Sequence, residues 1–105
     1  MTTPIIDEAT VLAALRTLQD PEFGIDLVEL GLIYEVKCTE GHVDVIMTLT
    51  TESCPAGNWI YEGVKSLLAG LPGVTGVQVD LVFEPHWSPA LLGAEARRQL
   101  GLPLD

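Results

Sequence analysis

Two runs of alternating apolar and polar residues, joined by the pair Glu40-Gly41, place the strongest constraint on the fold of this 105-residue chain. In residues 32–39 and 42–50 the apolar side chains recur at every second position, which is the period of a strand with one buried face. The Glu40-Gly41 pair predicts a tight turn, so the two strands are expected to form a hairpin. A third alternating run, residues 74–83, predicts a third strand.

Two other segments have the apolar spacing of amphipathic helices. The first covers residues 8–18 with Asp7 as its N-cap, and the second covers residues 55–69. Residues 93–100 predict a short tail helix. The order α-β-β-α-β predicts one α+β domain over residues 1–105, built in two layers with the helices on one face of a three-stranded sheet.

The same phases predict which side chains are buried. The third strand is expected to point four residues inward, namely Val77, Val79, Leu81 and Phe83. Three further side chains are expected to pack: Trp59, His86 and Trp87. Trp87 also suits an interface anchor, because prolines stiffen its loop. His42 and the threonines at the end of the second strand are expected near solvent: Thr48, Thr50 and Thr51.

The chain carries 15 acidic residues against 5 basic ones, which gives a formal net charge of -10. Such a surface repels phosphate groups, so nucleic acids and anionic membranes are not expected as partners. No apolar stretch has the length of a membrane span, and the N-terminal residues lack the basic and apolar regions of a secretory signal. The charge favours protein partners with a basic patch or serves solubility alone, and both interpretations stay open.

Two cysteines, Cys38 and Cys54, are too few for a disulfide framework and form no C-x-x-C motif. A reducing cytoplasm is therefore the expected compartment. Cys38 is in phase with Leu32, Tyr34 and Val36, so it is expected to face the core and to be chemically inert.

Cys54 precedes Pro55, and proline is favoured at the first position of a helix. Cys54 is then the cap residue, where free backbone N–H groups and the helix dipole lower the pKa of a thiol and favour the thiolate. Thiolate is the form that binds metals and attacks electrophiles. Glu52 opposes this shift, and the competing interpretation is a half-buried cysteine that acts as a small apolar residue.

Four carboxylates follow the first predicted helix: Asp20, Glu22, Asp26 and Glu29. Paired acids bind metals or act as acid and base, whereas the plainer interpretation is a helix stop with solvated charges. A dyad of Cys54 with His86 is a further arrangement that only proximity in space would decide. The glycine spacing forms no phosphate-binding loop, so nucleotide binding has no support.

Five sequence blocks occur in an order typical of one family: Asp20-Pro-Glu-Phe-Gly-Ile-Asp26, Leu30-Gly-Leu-Ile-Tyr34, Met47-Thr-Leu-Thr-Thr51 with Cys54-Pro55, Leu71-Pro-Gly-Val74, and Glu84-Pro-His-Trp-Ser-Pro89. Over residues 8–101 the chain resembles the metal–sulfur cluster assembly factors, the SufT- and PaaD-like proteins. The SufT type is the better match, because PaaD-like chains usually carry extra carboxy-terminal cysteines and none follows Cys54 here. Many relatives have Met-Ser where this chain has Leu92-Gly93.

The resemblance implies a fold similar to the carboxy-terminal domain of NifU scaffolds and a role in iron–sulfur protein maturation. Carried over residue by residue, it makes Cys54 the reactive, metal-binding residue. The supporting residues that it implies are Asp20, Glu22, Thr50 and Thr51. The partners that it implies are other assembly proteins and apoprotein clients, with a homodimer as a further arrangement.

An iron–sulfur cluster normally takes about four thiolate or equivalent ligands. One cysteine per chain does not supply them, so the cluster is either shared between chains or handled briefly by an adaptor. We prefer the adaptor or transient carrier, which is not an enzyme. Two other classes remain as alternatives: a thiol-dependent enzyme with Cys54 as nucleophile or redox group, and an interaction module in which the thiol is incidental.

Overall fold

The structure, a computed structural model, describes residues 6–21, 23–50 and 57–101. The elements in chain order are α1 (Glu8–Leu15), β1 (Ile33–Thr39), β2 (His42–Met47), α2 (Gly57–Ala69), β3 (Gly76–Leu81) and α3 (Ala94–Leu100), with a short 3-10 helix at Pro89–Leu91 before α3. The predicted α+β class and the α-β-β-α-β order are therefore confirmed. Within the described ranges, no helix has both the length and the apolar character that a membrane crossing requires.

The hairpin forms where the alternation predicts it. β1 and β2 are antiparallel, and the last pair before the turn is Thr39 with His42. Glu40 and Gly41 both have positive φ, at 48° and 86°, as a two-residue hairpin turn requires. A Cβ atom on Gly41 would lie 2.7 Å from the carbonyl oxygen of Gly73, so the neighbouring loop also requires glycine there.

β2 is the central strand, because β1 pairs with it antiparallel and β3 pairs with it parallel. Its core-facing side chains are fully buried: Val43, Val45 and Met47. α1 contacts β1 and α2, and α2 contacts β3, so these two helices cover the apolar face. The opposite face is polar apart from Ile46 and carries Glu35, Lys37, Thr39, His42, Asp44, Gln78 and Asp80.

α1 begins as predicted and ends early. The carboxylate of Asp7 accepts a hydrogen bond from the N–H of Thr10 at 2.8 Å. The side chain of Thr10 and this backbone N–H together lower the pKa of Asp7. The helix ends at Leu15, whereas the apolar spacing predicted residue 18. Beyond Leu15 the N–H groups of Thr17 and Leu18 donate to the carbonyls of Ala14 and Leu15, at 3.0 and 3.2 Å. These are the tighter bonds of a 3-10 turn, so the chain keeps turning to Leu18 although the α-helix ends at Leu15. The carbonyl of Leu18 then accepts from the N–H of Leu27 at 3.0 Å, as a free carbonyl at a helix end requires a donor from elsewhere.

Two burial predictions on the strands are wrong. The inward prediction fails at Leu81, which is 37% exposed, because β3 is an edge strand with only one neighbour. It holds for Val79, which is buried, and for Val77 and Phe83, which are half-buried and pack against the core. Thr48, expected near solvent, is completely buried. Its N–H donates to the carbonyl of Leu32 at 2.9 Å, which continues the contact between β1 and β2 by one residue.

Of the three further side chains that were expected to pack, only Trp87 does so. Trp59 is 59% exposed, so the expectation that it packs is wrong. The buried stripe of α2 is Gly57, Ile60, Val64 and Leu68. Trp59 precedes Ile60 by one residue and so points about 100° away from that stripe. His86 is also exposed, 3.5 Å from the carboxylate of Glu84, whereas Trp87 packs against the core.

Replacement of two adjacent residues of α2 tests this phase. Ile60→Ala is expected to lower the free energy of unfolding by about 2–5 kcal/mol, because it leaves a cavity in the core. Trp59→Ala is expected to change it by less than about 0.5 kcal/mol, since this side chain is exposed. Urea unfolding followed by circular dichroism measures both. A larger loss for Trp59→Ala than for Ile60→Ala would contradict the helix phase.

Candidate functional site

The sheet topology brings three chain segments to one end. β1 is antiparallel to β2 and β3 is parallel to it, so the residues before Ile33, after Met47 and after Leu81 all lie at the same end of the sheet. The N–H of Val82 donates to the carbonyl of Met47 at 2.9 Å, and Thr48 bonds to Leu32 on the other side. We call these three segments, residues 16–32, 48–50 and 82–93, the loop end of the sheet.

Asp20 lies inside the loop end rather than in solvent. It is only 1% exposed, so the interpretation of Asp20 as a solvated helix stop is wrong. Its N–H donates to the carbonyl of Ile25 at 2.9 Å, and its carbonyl accepts from the N–H of Gly24 at 2.8 Å. Gly24 has φ of +68°, a conformation that glycine adopts without strain. The turn around Asp20 is thus closed by its own backbone and holds the carboxylate within the protein.

The described residues next to the predicted reactive cysteine are tightly packed. Leu49 is buried and Thr50 is half-buried at the end of β2. A Cβ atom on Gly57 would lie 2.8 Å from Cδ1 of Leu49, so the end of β2 and the first described turn of α2 are in contact. The first described residue of α2 therefore lies against the loop end.

Three of the predicted site residues, Glu22, Thr51 and Cys54, lie outside the described residues. The other two, Asp20 and Thr50, both lie at the loop end, on segments that the hydrogen bond between Thr48 and Leu32 joins. Across residues 6–21, 23–50 and 57–101, no three side chains of the His, Cys, Asp and Glu types converge as a metal site would require.

Asp26 and Glu29 have structural roles. The N–H of Glu29 donates to the carboxylate of Asp26 at 2.9 Å, which fixes the turn that leads to β1. The guanidinium of Arg16 lies 3.5 Å from the Glu29 carboxylate and 4.0 Å from that of Asp26. Both carboxylates are therefore committed to backbone and arginine contacts, which argues against a metal or acid–base role for this pair.

Glu29 also caps α3 from a distance, which the sequence analysis missed. The cap residue of α3 is Gly93, which has no side chain to offer. Glu29 takes its place: its Oε1 accepts from the N–H of Glu95 at 2.9 Å and of Ala96 at 3.3 Å. A Cβ atom on Gly93 would overlap this carboxylate. The departure from Met-Ser at Leu92-Gly93 was the available signal, because a glycine at a cap position implies that another group supplies the acceptor.

Two aromatic side chains hold the last loop against the loop end. The hydroxyl of Tyr34 donates to the carbonyl of Pro85 at 2.7 Å, and Nε1 of Trp87 donates to the carbonyl of Leu30 at 2.7 Å. His86 lies between these two anchors in sequence and remains exposed beside Glu84. The segment that carries His86 is thus fixed at the loop end. Cys54 lies outside the described residues, so a dyad of Cys54 with His86 stays an untested alternative.

Cys38 has the surroundings of an unreactive thiol. It is half-buried and packs against the core, as its strand phase predicts. Burial raises the pKa of this thiol, and the negative charges of Glu8 and Asp7 raise it further. Because the thiolate is the reactive and metal-binding form, Cys38 is unsuited to either task.

Comparisons with known proteins agree with this architecture. The sequence profile of a family described as iron–sulfur cluster assembly protein matches residues 8–80. An Fe–S protein maturation auxiliary factor of Porphyromonas gingivalis is 42% identical over 95 residues, which cover 90% of this chain and 90% of that protein. The Fe–S protein maturation auxiliary factor SufT of Staphylococcus aureus is 42% identical over 84 residues, or 79% of this chain and 96% of that protein.

A solved structure shows the same similarity in three dimensions. The crystal structure of a domain of unknown function, DUF59, from Bacillus anthracis superposes with a TM-score of 0.86 at 34% identity. The match covers 91% of this chain and 92% of that one. The two chains therefore share one architecture over nearly their whole lengths.

The distant cap on α3 can be tested by removal and rescue. Glu29→Ala is expected to lower the free energy of unfolding by about 1–2 kcal/mol, because two N–H groups of α3 lose their acceptor. Glu62→Ala, at an exposed position of α2, serves as the matched control. Adding Gly93→Ser to Glu29→Ala is expected to recover part of the loss, since the serine hydroxyl then has room to cap the helix. Urea unfolding measures all three, and a loss no larger than the control's would contradict the cap.

Proposed function

Because this chain belongs to the family of iron–sulfur cluster assembly proteins, we propose that it matures iron–sulfur proteins by handling a cluster briefly at Cys54 and passing it to apoproteins. The observation that carries the proposal is the match over nearly the full length of two relatives whose names describe Fe–S protein maturation. The cluster is cargo in this proposal rather than a resident cofactor.

The assignment of Cys54 rests on its position in the sequence and on the elimination of Cys38. Cys54 stands between the end of β2 at Met47 and the first described residue of α2, Gly57. A cysteine just before a helix meets free N–H groups and the positive end of the helix dipole, which favour its thiolate. Cys38 is the other cysteine of the chain, and its pKa is raised by burial and by acidic neighbours.

Transient handling follows from the number of ligands. A cluster normally takes about four thiolate or equivalent ligands, and this chain offers one suitable cysteine. The described residues add no group of three His, Cys, Asp or Glu side chains that could complete the set. We therefore assign the remaining ligands to the donor or to the client, which makes the protein an adaptor or carrier and not an enzyme.

The four supporting residues are assigned on two kinds of evidence, position in the structure and sequence resemblance. Asp20 and Thr50 lie at the loop end, and the burial of Asp20 shows that its turn is part of the folded structure. Glu22 and Thr51 lie outside the described residues and enter the proposal through the sequence resemblance alone. We assign all four to the neighbourhood of the cysteine, where they hold the loops around it.

The proposed partners are other assembly proteins and apoprotein clients in the cytoplasm. The net charge of -10 would attract basic surfaces on such proteins and would speed their encounter. A homodimer that shares a cluster remains an alternative to a mixed complex with a client, and the size of the reconstituted species distinguishes the two.

Anaerobic reconstitution with iron and sulfide, followed by transfer to a recombinant apo-ferredoxin, tests the proposal. The wild type and Cys38→Ser are expected to transfer the cluster. Cys54→Ser is expected to transfer at least about tenfold more slowly, because a hydroxyl is a poor substitute for the thiolate ligand. Absorption spectra follow the transfer, and size exclusion reports whether the loaded species contains one chain or two.

Two results would contradict the proposal. Transfer by Cys54→Ser at the wild-type rate would favour an interaction module in which the thiol is incidental. Reaction of Cys54 with electrophiles without any iron binding in the reconstitution would favour a thiol-dependent enzyme.

A further inference from the structure

The outer edge of β3 carries backbone groups that no strand of the described chain pairs. β3 is the last strand of the sheet, and no other strand of the described chain lies beyond it. The N–H of Val82 donates to the carbonyl of Met47 in β2. Because the backbone groups of a strand point to alternate sides, the N–H and C=O groups of the even-numbered residues of β3 point towards β2. The N–H and C=O groups of Val77, Val79 and Leu81 then point outward. The hydroxyl of Tyr61, 3.4 Å from the carbonyl oxygen of Val79, confirms this orientation.

The edge of β3 is more open to pairing than the edge of β1. β1 contains an irregularity between Ile33 and Glu35, and it carries the exposed charges of Glu35 and Lys37. Bulges and charges of this kind protect an edge strand from pairing with other chains. β3 has an unbroken register with β2 over all six of its residues. An added strand therefore fits along β3 without any change in the sheet.

A groove runs along this edge, between β3 and α2. Residues 74–80 form one wall, and Tyr61, Lys65 and Ala69 of α2 form the other. The ammonium of Lys65 lies over the ring of Tyr61, 5.3 Å from its centre. Among the described residues, no carboxylate lies within 4.0 Å of Lys65. The part of the chain that the structure describes thus gives this cation no ionic partner, although the sequence is strongly acidic.

We propose that an extended segment of a partner protein adds to the sheet beside β3 as a fourth strand. Its backbone pairs with the outward groups of Val77, Val79 and Leu81, which is the mode known as β-strand addition. At the carbonyl of Val79 an N–H of the added strand takes the place of the Tyr61 hydroxyl, which is 3.4 Å away and so weakly held. On the side of α2 it carries apolar side chains and one carboxylate that pairs with Lys65. On the other side it carries basic side chains that face Asp80, in keeping with the negative charge of the chain.

The position of α2 argues against a second copy of this chain as the occupant. α2 packs on β3 itself. Two copies paired antiparallel through β3 would carry their α2 helices on the same face of the joined sheet, one on either side of the seam, where they would crowd each other. Packed helices need about 8–10 Å between their axes. The groove therefore accepts a strand that has no helix of its own above it, such as a terminal or linker segment.

This inference goes beyond the handling of a cluster. The edge of β3 runs along the sheet, whereas the cysteine is assigned to the segment that follows β2. An edge that binds a partner segment is compatible with any chemistry at Cys54. The two proposals therefore fail separately: backbone amides of β3 report on this one, and cluster transfer by cysteine variants reports on the other.

Amide hydrogen exchange by nuclear magnetic resonance tests the edge directly. In the free protein, the amides of Val77, Val79 and Leu81 are expected to exchange quickly, while those of Gln78 and Asp80 are protected by β2. The probe is an acetylated heptapeptide amide of sequence Lys-Val-Thr-Glu-Lys-Val-Thr, added to millimolar concentration. It is expected to slow the exchange of the three outward amides and to shift their resonances, and to leave the exchange of Gln78 and Asp80 unchanged.

Two modified probes and two variants complete the experiment. Each modified probe is N-methylated at every second amide, one probe at the odd positions and the other at the even positions. Only one of these two sets of N–H groups points towards β3. The probe that has lost this set is expected not to bind, and the other probe is expected to bind. Lys65→Glu is expected to weaken binding about tenfold, in the range of a lost charge-assisted bond, while Lys65→Arg keeps it. Both variants are on a helix surface, and thermal melting checks that they fold.

Four results would overturn the proposal. The first is protection of the outward amides in the free, dilute protein, because the chain itself would then cover the edge. The second is protection that appears only as the protein concentration rises, which would assign the edge to a second copy. The third is equal binding of both N-methylated probes. The fourth is an absence of any response of the three amides to the unmodified probe.

Discussion

The backbone pairing of β2 on both sides is the constraint on which the rest of this structure depends. Because β1 runs antiparallel to β2 and β3 runs parallel to it, three connecting segments meet at one end of a sheet of only three strands. The hydrogen bonds of Thr48 with Leu32 and of Val82 with Met47 extend this pairing past the strand ends. The turn of Asp20 and the segment that leads to Cys54 are neighbours as a consequence of topology.

The loop end is then held together by side chains that bond one chain segment to another. Tyr34 and Trp87 bind the backbone of opposite segments, and Glu29 joins the segment before β1 to α3. Each of these bonds connects residues more than fifty positions apart in the chain. Under the proposed function this support has a use, because a ligand held in place needs little reorganisation when a cluster arrives or leaves.

The part of the fold that depends on local pattern was predictable. The hairpin followed from period-two alternation and the Glu40-Gly41 turn, and the buried stripe of α2 followed from its helical spacing. The exposure of Trp59 follows from that same stripe, since one residue of offset moves a side chain off the buried face. The early end of α1 was not predictable from spacing, because apolar spacing does not distinguish the α-helix from the tighter turn in which Thr17 and Leu18 bond to Ala14 and Leu15.

The candidate site was predictable only through resemblance. The sequence treated the carboxylates after α1 as one candidate cluster, but in the structure they have different roles. Asp20 is buried, while Asp26 and Glu29 bind backbone N–H groups and Arg16. Burial and distant capping are tertiary effects that no local rule encodes. The assignment of Cys54 still rests on its sequence position before α2 and on the surroundings of Cys38.

Alkylation of the native protein across pH tests most directly the claim that Cys54 is the functional thiol. Iodoacetamide labelling, followed by peptide mass spectrometry, gives the rate at each cysteine separately. We predict that Cys54 reacts first, with a midpoint below about 8.5, the ordinary pKa of a free thiol. We predict that Cys38 reacts slowly and only at higher pH, because burial raises its pKa. Labelling of Cys38 before Cys54, or a midpoint for Cys54 above the ordinary value, would contradict the account.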